Sequence, residues 1–524
     1  MNRQQEQKQK KKELEAIPYQ LRYWDEFDYG ILNNIMFRIP GGNRKDKETK
    51  KPVNDIIIML DTETSKLKHN EYETLKNGVK KVIPFSNIVV CWSIALRAYG
   101  KNIVTLYGRK PSDICKCLEK IHNSMEGEIT YVFVHNLAYD WVFIRKFLLR
   151  DFGTPKGQLN TKPHYPLTIT FHNGIILRDS LILAQRSIEK WGNDLDVPNK
   201  KAVGMWDYNK IRTQFTPLDL LELLYIQGDV LCGVECIDYT MKQLRKTIVT
   251  LPYTATGIPR GEVRKRAKEN NGHKKFLTIC PDYETHKKLE QCYHGGFTHG
   301  NRHFINTTMN NVQGFDFASS YPYCMLSEKF PMQKFRPYRN MEPEEVINLG
   351  DKFAFIVRLV AMNVCIKNDF CPMPPLQFSK CTKAINPVLD NGRILSAGFV
   401  EIWLTETDLK VIRENYNWTN AVCMDVEYSF KHYLPRWFTD YIYQCFVNKT
   451  RLKGGDPVAY ALAKSTINAL YGMTVQKPVK ENLVEDYETG LYDIEEGFDE
   501  DEEYSKYKDK FNTVLPYQWG VWVT

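Results

Sequence analysis

The chain has 524 residues, 26% charged and 43% hydrophobic, which provides for buried cores and excludes wholesale disorder. At about 100–200 residues per domain, that length predicts about three to four domains. Seventy-one Lys and Arg against 63 Asp and Glu leave a net charge of +8, which is compatible with a nucleic-acid partner but does not require one.

The chain opens on MNRQQEQKQKKK, basic and without an apolar stretch behind it, so it does not read as a secretory signal. Residues 1–54 read as a lysine-rich tail and lead-in. From 55 to 245, strand-like runs alternate with helical ones. Strands are predicted at Asp55–Leu60, Asn87–Leu96, Ile103–Tyr107, Ile129–His135 and Leu167–Phe171, and helices at Ser112–His122, Asp140–Leu149 and Pro217–Leu244. This alternation predicts an α/β sheet with helices packed on it. Residues 246–329 hold a Gly-Gly turn at 295–296 and an apolar-flanked Asp316. Residues 330–435 read as an irregular, strand-like insertion, and 436–475 as two helical runs around a break at Gly454–Pro457. The stretch 476–510 is strongly acidic, and strand character returns only in Val514–Thr524. No run approaches the roughly 18 apolar residues of a membrane span. Thirteen scattered Cys without a C-x-x-C pair predict free thiols in a reducing cytosol rather than disulfides or zinc.

Two constellations carry chemistry. In the first, Asp61-Thr62-Glu63 follows the apolar run IIIML, and on a strand residues i and i+2 face the same way. Asp140 lies where an apolar strand passes through His135-Asn136 into a helix. Tyr225 and Asp229 are i and i+4 on a helix, hence on one face. Carboxylates at the edges of buried elements suit two hard divalent cations, and a two-metal site serves phosphodiester hydrolysis. In the second, Asp316 precedes Tyr321-Pro322, while Lys464, Asn468 and Tyr471 share one helical face. A lysine there suits a triphosphate oxygen, and the tyrosine suits stacking.

The order D-x-E, N-x-x-x-D 79 residues on, then Y-x-x-x-D 89 further, resembles the motifs of RNase H-like 3′–5′ proofreading exonucleases. Residues 316–322 and 464–472 resemble motifs A (D-x-x-S-x-Y-P) and B (K-x-x-x-N-x-x-Y-G) of family B DNA polymerases. Tyr293, Gly295 and Gly296 match that family's Y-x-G-G linking motif. The chain is most similar to the protein-primed subgroup of phages and linear plasmids. The resemblance implies an α/β, overall α+β multidomain protein: an exonuclease domain at 55–245, then a partial palm and fingers. The palm's first part would be 246–329, a terminal-protein-binding insertion 330–435, the fingers 436–475, a second insertion 476–510, and the start of the second palm part 511–524.

It further implies Mg²⁺ or Mn²⁺, two ions per site. The exonuclease ligands would be Asp61, Glu63, Asp140 and Asp229, with Tyr225 assisting and Asp316 holding metal in the palm. Thr64, Asn136, Tyr139 and Ser180 would meet single-stranded DNA, Phe143 and Leu181 the primer or the terminal protein, and Tyr293, Gly295 and Gly296 would also bind DNA; Lys200 and Lys201 both compete as an exonuclease lysine. Tyr321 would gate the sugar and Tyr471 shape the base pocket. Lys464, Asn468 and Lys453, with Lys449 and Arg451, would meet the nucleotide. The implied partners are primer-template DNA, a single-stranded 3′ end, dNTPs and a terminal protein, in the cytoplasm of an infected or plasmid-bearing host. The family's motif C, Y-x-D-T-D, is not found in these 524 residues. The expectation is therefore a chain truncated before motif C and thumb, exonuclease-competent and polymerase-deficient alone, with the rest encoded separately as a second chain, spliced on, or lost. Glu495–Glu503 is expected to repel template, and Phe498–Asp501 to be a solvated loop. A stand-alone 3′–5′ exonuclease and a non-catalytic DNA- or terminal-protein-binding platform are the competing expectations.

Overall fold

The computed structural model describes residues 21–35, 45, 51–67, 72–74, 80–82, 86–201, 206–510 and 514–524. The chain forms two compact units. The first comprises Met1–Ala255, Leu452–Leu462 and Glu481–Phe498; the second comprises Thr256–Arg451, Ala463–Lys480 and Asp499–Thr524.

An eight-stranded mixed sheet forms the first unit. Its order is Leu21–Tyr23, Lys101–Gly108, Ser86–Ala98, Ile57–Leu67, Thr130–Val134, Ile175–Asp179, Pro166–Thr170 and Gly157–Asn160. Ile57–Leu67 is central, antiparallel to Ser86–Ala98 and parallel to Thr130–Val134, with Ile58 opposite Val132. A central strand covered on both faces must be apolar on both, which is why IIIML runs unbroken. Ile56, Ile58 and Leu60 pack in one core with residues of the helices Asp113–Asn123 and Leu137–Phe152. Met59 faces the opposite way, against helix Leu220–Leu244, where Gly233 has no room for a side chain: a Cβ would lie 2.9 Å from Met59. The two-residue period then sends Asp61 and Glu63 toward that helix and Thr62 toward Leu137–Phe152.

Three long antiparallel strands, Phe353–Ile366, Arg393–Thr405 and Asn420–His432, form the centre of an eight-stranded sheet in the second unit, with Phe353–Ile366 between the other two. A separate helical core joins Phe276, Phe438, Ile467, Leu470 and Trp519. The helices Arg436–Leu452 and Pro457–Gly472 flank the Gly454–Pro457 break.

The structure corrects several expectations. Part of the lead-in is folded: Leu21–Tyr23 adds a parallel strand to Lys101–Gly108, and Trp24, Phe27 and Leu32 are buried. Residues 1–20, with the basic run, lie outside the described residues. The stretch 330–435 is a regular antiparallel sheet and not a meander, since Asn420–His432 crosses back to pair with Phe353–Ile366 on the side opposite Arg393–Thr405; its long β-branched and aromatic strands favour that pairing. Phe498 and Asp499 are irregular as expected, but Glu500 and Asp501 open a helix. Asp499 caps helix Glu500–Asp509, whose first turn is acidic and whose last carries Lys506 and Lys508, the charge order that a helix dipole favours. Val514–Thr524 contains the helix Tyr517–Val521 rather than a strand, since Trp519 and Gln518 are wholly buried there and Gly520 abuts Thr474 and Val475. Strand Ile175–Asp179, paired parallel to Thr130–Val134, escaped the sequence reading altogether.

Candidate active site

In the first unit, carboxylate oxygens of Asp61, Glu63 and Asp229 lie within 4.8 Å of one another, the group of this kind found among the described residues. The strand supplies two of them. Helix Leu220–Leu244 supplies the third, anchored at its start by a capping box in which Asp219 and Glu222 each accept from the other's backbone N–H. Asp140, wholly buried on helix Leu137–Phe152, accepts a 2.6 Å hydrogen bond from Thr62 Oγ1. The helix begins after Asn136, whose φ of 73° is the left-handed conformation that Asn tolerates.

Burial raises the pKa values of all four acids, and for Asp61 and Glu63 the charges of the neighbouring acids add to it. Asp61 is pushed well above the carboxylate range, Glu63 to about 8, Asp140 to about 7, and Asp229 upward too. Four acids this close and this dry need cationic compensation. Lys201 provides part of it, its Nζ 2.7 Å from Asp229 Oδ2. Burial opposes the charged Lys201, but Asp229, Asp61 and Glu63 more than offset it, so its pKa is raised. Lys200 instead donates to Gly192 O and pairs with Asp196. The structure thus separates the two lysines that sequence left in competition. Asp229 Oδ1 is buried without a hydrogen-bond partner. An all-oxygen donor set with an orphaned carboxylate oxygen fits hard divalent cations of the Mg²⁺ and Mn²⁺ class.

Tyr225 sits beside the acids, with its hydroxyl 2.9 Å from that of Tyr208 and its ring stacked on Trp206. Burial and the charges of Glu63 and Asp229 keep it protonated. At the surface, Thr64 Oγ1 meets the Tyr139 hydroxyl at 2.6 Å, and the rings of Tyr139 and Phe143 lie 5.1 Å apart. Thr64 and Tyr139 are immediate chain neighbours of Glu63 and Asp140, and Phe143 lies about one helical turn on, so an aromatic shelf adjoins the acids. Ser180 is different. It is fully buried, and its hydroxyl faces His135 and Val134 O, so it braces the strand end rather than presenting a ligand. Asp179 was missed by sequence reasoning. It accepts from the backbone N–H groups of Leu137 and Ile182, holding the start of the helix that carries Asp140. A carboxylate ending an apolar run was the available signal.

In the second unit, three separated motifs meet. The rings of Tyr321 and Tyr471 lie 4.3 Å apart, and Tyr471 donates to the Tyr293 hydroxyl at 3.3 Å. A Cβ at Gly296 would stand 3.0 Å from the Tyr321 hydroxyl, so glycine fits this approach. Gly295 has open space. Lys449 donates to Ser319 Oγ at 2.8 Å. Lys464 and Asn468 are exposed on the helix that carries Tyr471, and Arg451 is exposed in the last turn of the preceding helix. Lys453, also exposed, belongs to the first unit. Asp316 does not join an acidic group. It lies in exposed, irregular backbone between Phe315 and Phe317, which are 91% and 85% exposed. An apolar approach produces a buried strand only where another strand pairs with it, and among the described residues none pairs with this segment.

Residues 207–514, more than half of the chain, match the family described as DNA polymerase type B, organellar and viral. The chain belongs to that family. The DNA polymerases of Bacillus phages Nf and M2 are each 24% identical to it over 385 residues, covering 68% of this chain and 63% of theirs. That of phage B103 is 25% identical over 394 residues. The chain thus spans about 63% of the length of these curated relatives. The fold of this chain is similar to that of Phi29 DNA polymerase in an orthorhombic crystal form, with TM-score 0.64, 17% identity, and coverage of 90% of this chain and 75% of that one. It is also similar to the same enzyme complexed with single-stranded DNA, with TM-score 0.64 and 19% identity. The α/β class and the protein-primed family B resemblance expected from the motifs accord with these matches.

Proposed function

We propose that this type B polymerase removes nucleotides from single-stranded 3′ ends at Asp61, Glu63, Asp140 and Asp229. The observation that carries this reading is the gathering of three acids from distant parts of the chain, with the fourth beside them. Those residues would hold two Mg²⁺ or Mn²⁺ ions, which when bound supply charge stabilisation to the oxygens of the scissile phosphodiester. Lys201 holds Asp229 in place by its ion pair, and the protonated Tyr225 offers an O–H to orient the attacking water. Tyr139 and Phe143 give frayed bases a stacking surface that tolerates any sequence. That Phi29 DNA polymerase is known complexed with single-stranded DNA supports this assignment.

The second unit takes primer-template DNA and dNTPs in the protein-primed manner. Asp316 holds metal, Tyr321 lies under the sugar, Tyr471 shapes the base pocket, and Lys464 and Asn468 face the triphosphate. Residues 330–435 dock the terminal protein. A second palm carboxylate, from a segment or chain bearing Y-x-D-T-D, pairs with the exposed 312–317 segment and completes the site. Until then Asp316 stands alone, which favours a second reading for these 524 residues by themselves: exonuclease without extension.

The test uses 5′-labelled single strands and a primer-template with dNTPs, each in Mg²⁺. Cleavage without extension is expected. Asp61→Ala should lower cleavage at least about a hundredfold, the scale of losing transition-state charge stabilisation, while DNA binding persists. Undiminished cleavage by Asp61→Ala would refute the site, and unaided primer extension would refute the incomplete palm.

A further inference from the structure

The second unit encloses a cavity of about 240 Å³ that belongs to neither catalytic constellation. Its wall carries four basic side chains, Arg260, Arg264, Lys477 and Lys510, and no Asp or Glu. Arg260 and Arg264 lie at i and i+4 on helix Gly257–Glu269, so both guanidinium groups enter from one face. His286, also in the wall, is stacked on Tyr504 with centroids 4.8 Å apart, and burial drops its pKa to about 4, leaving it neutral.

This charge distribution is unfavourable as it stands. Buried guanidinium groups are ordinarily matched by carboxylates. Here Arg260 Nε is buried with no hydrogen-bond partner, and the cation nearest in effect is Arg264, whose repulsion adds to burial in lowering the Arg260 pKa. Lys477 does have a carboxylate, Glu290, at 3.2 Å, but Glu290 also serves Lys287 and lies outside the wall. The wall thus presents positive charge and no carboxylate, and the Arg260 guanidinium faces it with an unsatisfied nitrogen.

We infer that this cavity is a binding site for a phosphate-type oxyanion, held chiefly by the Arg260 guanidinium with Arg264 and the two lysines around it. Arginine forks match phosphate oxygens in pairs, which a neutral ligand or a single halide cannot satisfy. The volume is below the roughly 300–1,000 Å³ of pockets that bury a whole drug-sized ligand, so the site accepts a phosphate group rather than a complete nucleotide. Two sources offer that chemistry: a free polyphosphate anion and a backbone phosphate of a nucleic-acid strand. The wall includes Met473 and Thr474, directly after Tyr471-Gly472, so occupancy would bear on the end of the helix that carries Tyr471.

The experiment measures two things on the full chain at matched ionic strength. One is calorimetric binding of inorganic pyrophosphate, with chloride as control. The other is the salt dependence of binding to a labelled single strand. Arg260→Gln should weaken whichever source is used by about tenfold or more, the loss of one charge-assisted hydrogen bond. Arg260→Lys should restore part of it. Lost pyrophosphate binding identifies the free anion. A DNA salt slope reduced by about one identifies the backbone phosphate. Either result upholds an oxyanion site. If wild type binds no pyrophosphate and Arg260→Gln leaves the DNA slope unchanged, the inference is overturned. Should Arg260→Gln fail to fold by circular dichroism, Lys510→Gln at the same wall carries the same two readouts.

Discussion

Lys201 shows how much one side chain decides. Adjacent lysines at 200 and 201 are chemically equivalent in sequence, yet only Lys201 reaches Asp229, at 2.7 Å, inside a cluster where every acid is pushed toward its protonated form. Lys201→Met should cut 3′-end cleavage at least about a hundredfold in single-turnover assays, because Asp229 then shares its pocket with acids alone. Lys200→Met, whose partner is Asp196, should leave the rate within about twofold, as a removed exposed ion pair carries little energy. Equal losses in both variants would remove Lys201 from the site.

Helix Leu220–Leu244 places Tyr225 and Asp229, and its position depends on its beginning. Asp219 accepts from Glu222 N–H, while Glu222 closes the box and is itself gripped by Arg212 and Lys210. Asp219→Ala should lower stability by about 1 kcal/mol, read in a denaturant melt, with a cleavage loss smaller than that of Lys201→Met. The other elements show where local pattern suffices. The run IIIML, the helix after Asn136 and the long 220–244 helix were readable because each has a strong period or an unbroken apolar face. Ile175–Asp179 was not, because five buried residues in a short strand have no period of their own. The helix at Tyr517–Val521 defied its aromatic and β-branched composition, since burial around Trp519 outweighs local propensity.

Across the molecule, the acidic cluster couples stability to pH and to metal. Glu63 and Asp140 have folded pKa values of about 8 and 7 against ordinary values of 4.5 and 3.8. Between those limits the folded state binds more protons than the unfolded one, so stability falls as pH rises. Metal-free protein should therefore melt at a lower temperature at pH 8 than at pH 6, and Glu63→Gln should flatten that slope. Mg²⁺ should raise the melting temperature more at pH 8, where the acids are ionised and bind it best. A pH-independent melt, unmoved by Mg²⁺, would contradict the electrostatics of the cluster.

Sequence alone determined which residues could do chemistry, their order and their local frame. The D-x-E on a strand and the Y-x-x-x-D on a helix follow from periods of two and of about four, which are properties of a few consecutive residues. Tertiary structure decided the rest. It brought Asp229 to Asp61 across 168 positions, chose Lys201 over Lys200, buried Ser180, and left Asp316 in unpaired backbone. It also drew Tyr293, Tyr321 and Tyr471 into contact and gathered four cations around one cavity. The reason is physical: burial, charge repulsion and strand pairing are set by what packs alongside a residue, and those neighbours are remote in the chain.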